Sequence, residues 1–285
     1  MRDVLITAMF LYVVLLKQHW LPGDLMNFKE KINEIYDSRY ILKSLVVRNL
    51  IGRYKNSLLG FLWHFITPIV MMIAYYLVFS FIRSNPIPDF WVYLSSTILP
   101  LTFMITNLTT GSGCIVSSSS MIKKMYFPRE IIVLSQIVSS FIVMILGYVV
   151  VIIVIALSGY NVTIYWASLP LILLLMSIFA TGFTLAFSAL TVYVRDIQHM
   201  LRSASILIYL STPMYFTLEG KTGILLDIVS VNPFTYYVEL LHQIVYYGEC
   251  PHIDYLVICV IMSFFSVVIG YIVFSKLKNG FVERL

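Results

Sequence analysis

The sequence predicts an all-α integral membrane protein of six transmembrane helices preceded by an amphipathic helix at the membrane surface, and three observations predict it. Hydrophobic residues make up 60 % of the 285 positions and charged residues only 12 %, with a mean hydropathy of +0.90. Such a chain has too little polar surface to cover a soluble domain. Six apolar runs follow one another at 58–82, 90–111, 131–157, 166–192, 204–216 and 255–274, and all but the fifth reach the ~20 residues needed to cross a hydrocarbon core of about 30 Å. Lys and Arg alternate between the connections: seven in 26–57, three in 112–130, two in 193–203 and three in 275–285, against Arg83 and Lys221 alone in the other three. Positive charge stays cytoplasmic, so this bias puts both termini on the cytoplasmic side.

Residues 1–25 read as an N-terminal extension. The apolar stretch 4–16 is too short to span, and Lys17-Gln18-His19-Trp20 follows it where a signal peptide would carry small residues for cleavage. Met26 offers an alternative start. Residues 26–57 hold the surface helix and the loop that leaves it. At about 100° per residue, Val46, Val47, Leu50, Ile51 and Tyr54 share one side; Ser44, Arg48, Gly52 and Lys55 lie opposite, Asn49 and Arg53 flank them, and Lys43 interrupts the apolar side. A helix so divided lies at head-group depth with anionic lipid or phosphate along its basic side; the plainer alternative is an anchor that only fixes topology. The six-span domain occupies 58–275 and a cytoplasmic tail 276–285. The fifth run contains Pro213 and leans on residues beyond Thr217 or on neighbouring helices.

Several function classes drop out. The net charge of +5 does not point to nucleic acid, because the basic residues sit at the ends of apolar runs and not on one face. Cys114, Cys250 and Cys259 lack paired spacing and read as free thiols, and the five scattered histidines imply no metal or other cofactor. Glu219-Gly220-Lys221-Thr222 ends like a phosphate-binding loop, but Tyr215 stands where its first glycine belongs. No Asp or Glu lies inside the apolar runs, where a proton-coupled carrier would need one. A chain of this kind that moves a substrate uphill draws its energy from a partner.

The run Arg53-Tyr54-Lys55-Asn56-Ser57, with Leu59-Gly60-Phe61-Leu62-Trp63 after it, resembles the R-Y-x-x-S-x-L-G-x-L-W signature of the permease subunit of type-2 ABC exporters for polysaccharides, the family that exports O-antigen, capsule and teichoic acid chains. Three further stretches resemble that family in order. Ile122-Lys123-Lys124-Met125-Tyr126-Phe127-Pro128-Arg129-Glu130 is similar to its I-K-K-x-Y-F-P-R-E. Tyr193-Val194-Arg195-Asp196-Ile197-Gln198-His199 is similar to Y-x-R-D-x-x-H, and Asn232-Pro233-Phe234 with Tyr247-Gly248 to its N-P-x-T and Y-G pair. The likeness covers about 36–274. It implies that the short helix ahead of Lys124, with Ser118, Ser119, Met121, Ile122, Lys123 and Lys124, docks on a separate ATPase subunit; read from its residues alone, the same segment is an ordinary cytoplasmic turn. It implies too that 224–230 and 234–247 form two short helices re-entering the outer leaflet between spans five and six. Arg195 and Asp196 organise their turn.

Aromatic residues are abundant inside the spans. Sugar rings stack on aromatic faces without one fixed hydrogen-bond pattern, and weak contacts let a polymer slide. Tyr75, Tyr76 and Phe79 in span one, and Tyr209, Tyr215 and Phe216 in span five, are candidate channel-lining residues, with helix packing as the alternative. The hydroxyl-rich span two suits packing. Positive charge at Arg48, Arg53 and Lys55, with the loop of Asn56, Ser57 and Gly60, marks where a lipid-linked phosphate would enter. The resulting expectation is a non-enzymatic permease in a bacterial plasma membrane, a homodimer on two copies of the ATPase, moving a lipid-linked polysaccharide among membrane lipids. The alternatives are a lipid or drug permease and a scaffold for glycan synthesis.

Overall fold

The computed structural model describes residues 33–34, 36–52, 87–160, 162–218 and 223–285, with isolated positions between 62 and 78. Every regular element among them is helical. The first is α1 (Arg39–Gly52). It is followed by α2 (Phe90–Thr109), a 3₁₀ turn at Gly111–Gly113, α3 (Cys114–Ser117) and α4 (Ser119–Lys124). Then come α5 (Glu130–Leu157), α6 (Leu169–Tyr193) and α7 (Asp196–Ser211). The chain ends with α8 (Ile224–Val231), α9 (Pro233–Leu241), a π turn at His242–Tyr247, α10 (Ile253–Leu277) and α11 (Phe281–Arg284).

Four stretches among the described residues are long and apolar enough to cross a membrane: Phe90–Lys124, Glu130–Leu157, Ile164–Tyr193 and Ile253–Arg284. They correspond to the second, third, fourth and sixth expected spans. The first lies outside the described residues. The fifth differs in extent: α7 starts at Asp196, well before the apolar run, and stops at Ser211 ahead of Pro213. At 1.5 Å per residue its 16 residues cover about 24 Å, less than a hydrocarbon core. α2 and α6 lie mostly inside the protein, whereas α5 and α10 turn outward a surface that includes Val149, Ile153, Val154, Val260, Phe265 and Ile269. An apolar exterior on that scale belongs against lipid.

Interior packing depends on small residues and on hydroxyls bonded to backbone. α6 and α10 cross so closely that a Cβ added at Gly270 would strike the Gly182 backbone, and one at Gly182 the backbone of Ser266. At the same crossing Ser263 Oγ donates to the Leu175 carbonyl at 3.0 Å and Ser266 Oγ to that of Phe179 at 2.9 Å. In α2, Pro100 has no N–H, so the Ser96 carbonyl one turn earlier loses its helical donor. The Tyr148 hydroxyl of α5 donates to it instead, at 2.9 Å. Tyr148→Phe should therefore leave a buried carbonyl unpaired and cost about 1–3 kcal/mol, read as a lower thermal midpoint of the detergent-extracted protein; an unchanged midpoint would refute the repair.

The fold has two polar ends. At one, the segments around 118–130, 193–199 and 277–285 gather over a core of Leu45, Ile115, Ile122, Phe127, Val192, Phe274 and Phe281; this basic end carries Lys123, Lys124, Arg129, Arg195, Lys278 and Arg284. At the aromatic end, 87–89, 158–160, 162–168, 212–218 and 223–252 meet. α1 lies along α5 with Leu45 and Val46 buried, while Val47 and Ile51 face outward. The apolar side expected from the helical wheel thus divides: its inner edge packs on the protein and its outer edge stays bare.

Candidate functional site

At the basic end α4 stops because Met125 turns to extended backbone, at φ −131° and ψ 139°, and Pro128 follows. The residue before a proline is itself pushed out of the helical region. Of the six residues expected to dock a partner, Lys123 and Lys124 project from the surface, Ser118 and Ile122 are buried, and Ser119 and Met121 are half-buried. Arg48 reaches this segment, its guanidinium 3.6 Å from the Met121 sulfur. Beyond α4, Met125 is 55 % exposed and Tyr126 fully exposed, and Phe127 folds back into the core. The sequence reading did not single out Met125 and Tyr126, although an apolar pair just past a helix stop, on a basic turn, was visible there.

A cleft of about 480 Å³ opens beside this turn, lined by Lys123, Lys124, Arg129, Glu130 and Lys278 among others. Its wall is tied to the 278–285 segment. Lys278 Nζ lies 3.2 Å from Glu130 Oε1, with the carboxylate almost wholly buried. The Arg129 guanidinium donates to the Lys278 carbonyl and sits 5.8 Å over the Phe281 ring. The Tyr193 hydroxyl donates to the Leu277 carbonyl at 2.9 Å, and Arg284 covers the Tyr193 ring at 4.5 Å. Glu130 opens α5 and Lys278 follows α10, so each charge also complements a helix dipole. No sequence pattern links positions this far apart.

The aromatic end is built around Tyr93 and the π turn. The His242 ring stacks on Tyr93 at 3.7 Å, and since a carbonyl only accepts, His242 Nε2–H donates to the Tyr93 carbonyl at 3.2 Å. The Tyr93 hydroxyl lies 2.9 Å from the carbonyls of both Pro213 and Phe216, which share its single proton, and Tyr246 donates to the carbonyl of Pro88 at 2.6 Å. Asn232 caps α9 through Oδ1, which accepts from Phe234 N at 3.0 Å, while its Nδ2 donates to Ser211 and Thr212, both at 2.9 Å. One side chain thus ends α7 and starts α9, with Pro233 suited to the first helical position. Gly248 closes the π turn at φ 67°, which a Cβ would strain. Just past α5, burial first and the Asp89 carboxylate second push the Tyr160 phenol up from its ordinary pKa.

Among the expected channel-lining residues, Tyr215 is buried in the core, Tyr209 is half-buried with its hydroxyl 3.2 Å from Thr102 Oγ1, and Phe216 is half-buried beside Tyr93. Tyr75, Tyr76 and Phe79 lie outside the described residues, as do Arg53, Lys55, Asn56, Ser57 and Gly60.

Comparison with known proteins gives this arrangement a context. The chain is 26 % identical over 254 residues to the O-antigen export system permease protein RfbA of Klebsiella pneumoniae, covering 88 % of this chain and 98 % of that relative. It is 25 % identical over 259 residues to the O-antigen export system permease protein RfbA of Myxococcus xanthus, with 89 % and 98 % covered. A shorter match, 29 % over 153 residues, covers 50 % of this chain and 56 % of the capsule polysaccharide export inner-membrane protein CtrC of Neisseria meningitidis serogroup B. Residues 40–246 match the family model described as ABC-2 type transporter, a span running from α1 through the π turn, and the chain belongs to that family.

Proposed function

We propose that this chain is the membrane subunit of an ATP-driven exporter that carries a lipid-linked polysaccharide, of O-antigen, capsule or teichoic acid type, from the cytoplasm across a bacterial plasma membrane. The observation that carries the reading is the likeness to two O-antigen export permeases over 98 % of their own lengths. ATP is hydrolysed by a separate subunit that docks on the basic end, around Ser118 to Lys124. That end is cytoplasmic, as the distribution of Lys and Arg suggests, and six spans cross the bilayer, with α8 and α9 re-entering it at the aromatic end.

Two copies of the chain form the passage. Met200, Ile206, Leu207 and Leu210 of α7 are each more than 60 % exposed, on a helix with no buried residue. Arg202 and Ser203 are exposed on the same helix; a facing copy or a wet passage satisfies such groups, and hydrocarbon does not. Tyr209 and Phe216, with Tyr75, Tyr76 and Phe79, offer aromatic faces to the passing sugars, and Tyr215 joins them as the passage widens.

The lipid phosphate enters beside Arg48, Arg53 and Lys55, on the loop of Asn56, Ser57 and Gly60. Each basic group near an anionic surface contributes about 1 kcal/mol, so Arg53→Gln with Lys55→Gln should weaken capture by about thirtyfold. Surface glycan should fall accordingly while the amount of chain in the membrane and its thermal midpoint hold. Parallel loss of chain and glycan would assign these residues to folding and count against the reading.

A further inference from the structure

We propose that the 278–285 segment is a brace that transmits movement of the partner-docking turn to the membrane helices, with Lys278 as its positioning residue. The proposal rests on the docking reading above. The 123–126 part of the turn is exposed, and a push on a loose turn dissipates in that turn. Here the turn is fastened at its far end. Arg129 reaches across to the Lys278 carbonyl while the Lys278 ammonium reaches back to Glu130, a reciprocal clasp between residues about 150 positions apart in sequence. The Lys278 carbonyl takes the Arg129 guanidinium as a second donor beside the Phe281 N–H of the 3₁₀ turn Lys278–Gly280, and Glu130 is buried, so the clasp is charge-assisted at both contacts and not a casual surface pairing.

The segment grips a second connection as well. Phe281 is fully buried, edge-on to Phe274 of α10 at 5.5 Å, in the same cluster as Ile122 of α4 and Phe127 of the turn. The Tyr193 hydroxyl holds the Leu277 carbonyl, the Arg284 guanidinium lies on the Tyr193 ring, and Gly280 sits so near that hydroxyl that a Cβ would collide with it. The segment therefore touches the turn before α5, the end of α6 and the end of α10. Since α6 and α10 are locked together at Gly182 and Gly270, displacement of the docking turn moves them as one body instead of bending the turn.

The test compares Lys278→Met with Lys278→Arg in the full chain, expressed in its native cells. Four quantities are read: thermal midpoint in mild detergent, the amount of Walker A protein co-purifying per chain, ATP hydrolysis by that complex, and glycan at the cell surface. Lys278→Met should keep co-purification and hydrolysis within about twofold of the unaltered chain while surface glycan falls about tenfold or more, and the arginine variant, which keeps a cation and its donors, should recover most of the export. A purely structural role predicts a different pattern, in which glycan falls only in proportion to folded chain; that result overturns the brace, as does export that stays within about twofold. If Lys278→Met does not accumulate, Gly280→Ala is read in its place with the same expectations, since its added Cβ meets the Tyr193 side chain and leaves the charges intact. Absence of any Walker A protein from the unaltered chain's complex overturns the docking reading and the brace with it.

Discussion

Gly270→Val is expected to lower the thermal midpoint of the extracted protein by about 4–16 °C and to remove most export. Any side chain at this position projects into the Gly182 backbone. Backbone cannot rotate away as a side chain can, so α6 and α10 must separate. Overpacking of this kind costs about 1–3 kcal/mol or more. Separation also stretches the Ser263 to Leu175 and Ser266 to Phe179 hydrogen bonds, each contributing about 0.6 kcal/mol between membrane helices. A loss of about 2–4 kcal/mol is a large share of a typical stability of about 5–15 kcal/mol, and at about 2–4 °C per kcal/mol it gives the stated shift. Gly52→Ala is the control: nothing lies within 4 Å of a Cβ there, so its midpoint should stay put or rise slightly. A Gly270→Val protein that melts with the unaltered chain would mean that the crossing does not hold the fold together.

What the sequence could say about this fold depended on how far apart the deciding residues lie. The expected boundary of span two at residue 90 coincides with the start of α2, and that of span three at 131–157 differs from α5 by one residue. Both follow from local hydropathy. The N-P-F stretch announces a cap and a helix start within three residues, and Asn232 makes that cap. α7 was harder to delimit. Its polar His199, Arg202 and Ser203 looked like the end of a loop, yet a helix tolerates them when they fall on an exposed face. The close approach of Gly182 to Gly270, the repair of the Pro100 gap by Tyr148 and the clasp between Glu130 and Lys278 each join distant stretches by side-chain geometry. No spacing rule along one chain reveals such pairs. The same limit applied to the candidate site: a short helix ahead of the basic turn was legible, and Ser119–Lys124 is helical, but the segment packed beside it was not.

Reversal of the two lysines, Lys123→Glu with Lys124→Glu, is expected to release the ATPase subunit without disturbing the fold. Both side chains are exposed in the last turn of α4. Surface substitutions of this sort usually change stability by no more than about 0.5 kcal/mol, although two carboxylates at a helix C-terminus oppose its dipole and add a few tenths. Binding responds differently. Placing like charges across an interface costs several kcal/mol, so recovery of the partner should drop at least about thirtyfold at low salt. Charges at an exposed rim are screened within about 8–10 Å at moderate ionic strength, so the gap between variant and unaltered chain should narrow as salt rises. Tyr126→Ala supplies the contrast. Its ring is fully exposed here, and an aromatic anchor entering a partner's pocket commonly contributes about 2 kcal/mol or more with little dependence on salt. Loss that is salt-sensitive for the lysines and salt-insensitive for Tyr126 would mean that the turn docks by both rim and anchor. Full recovery of the partner with both variants would move docking off this turn, and α1, whose Arg48 touches the same segment, would be the next surface to reverse.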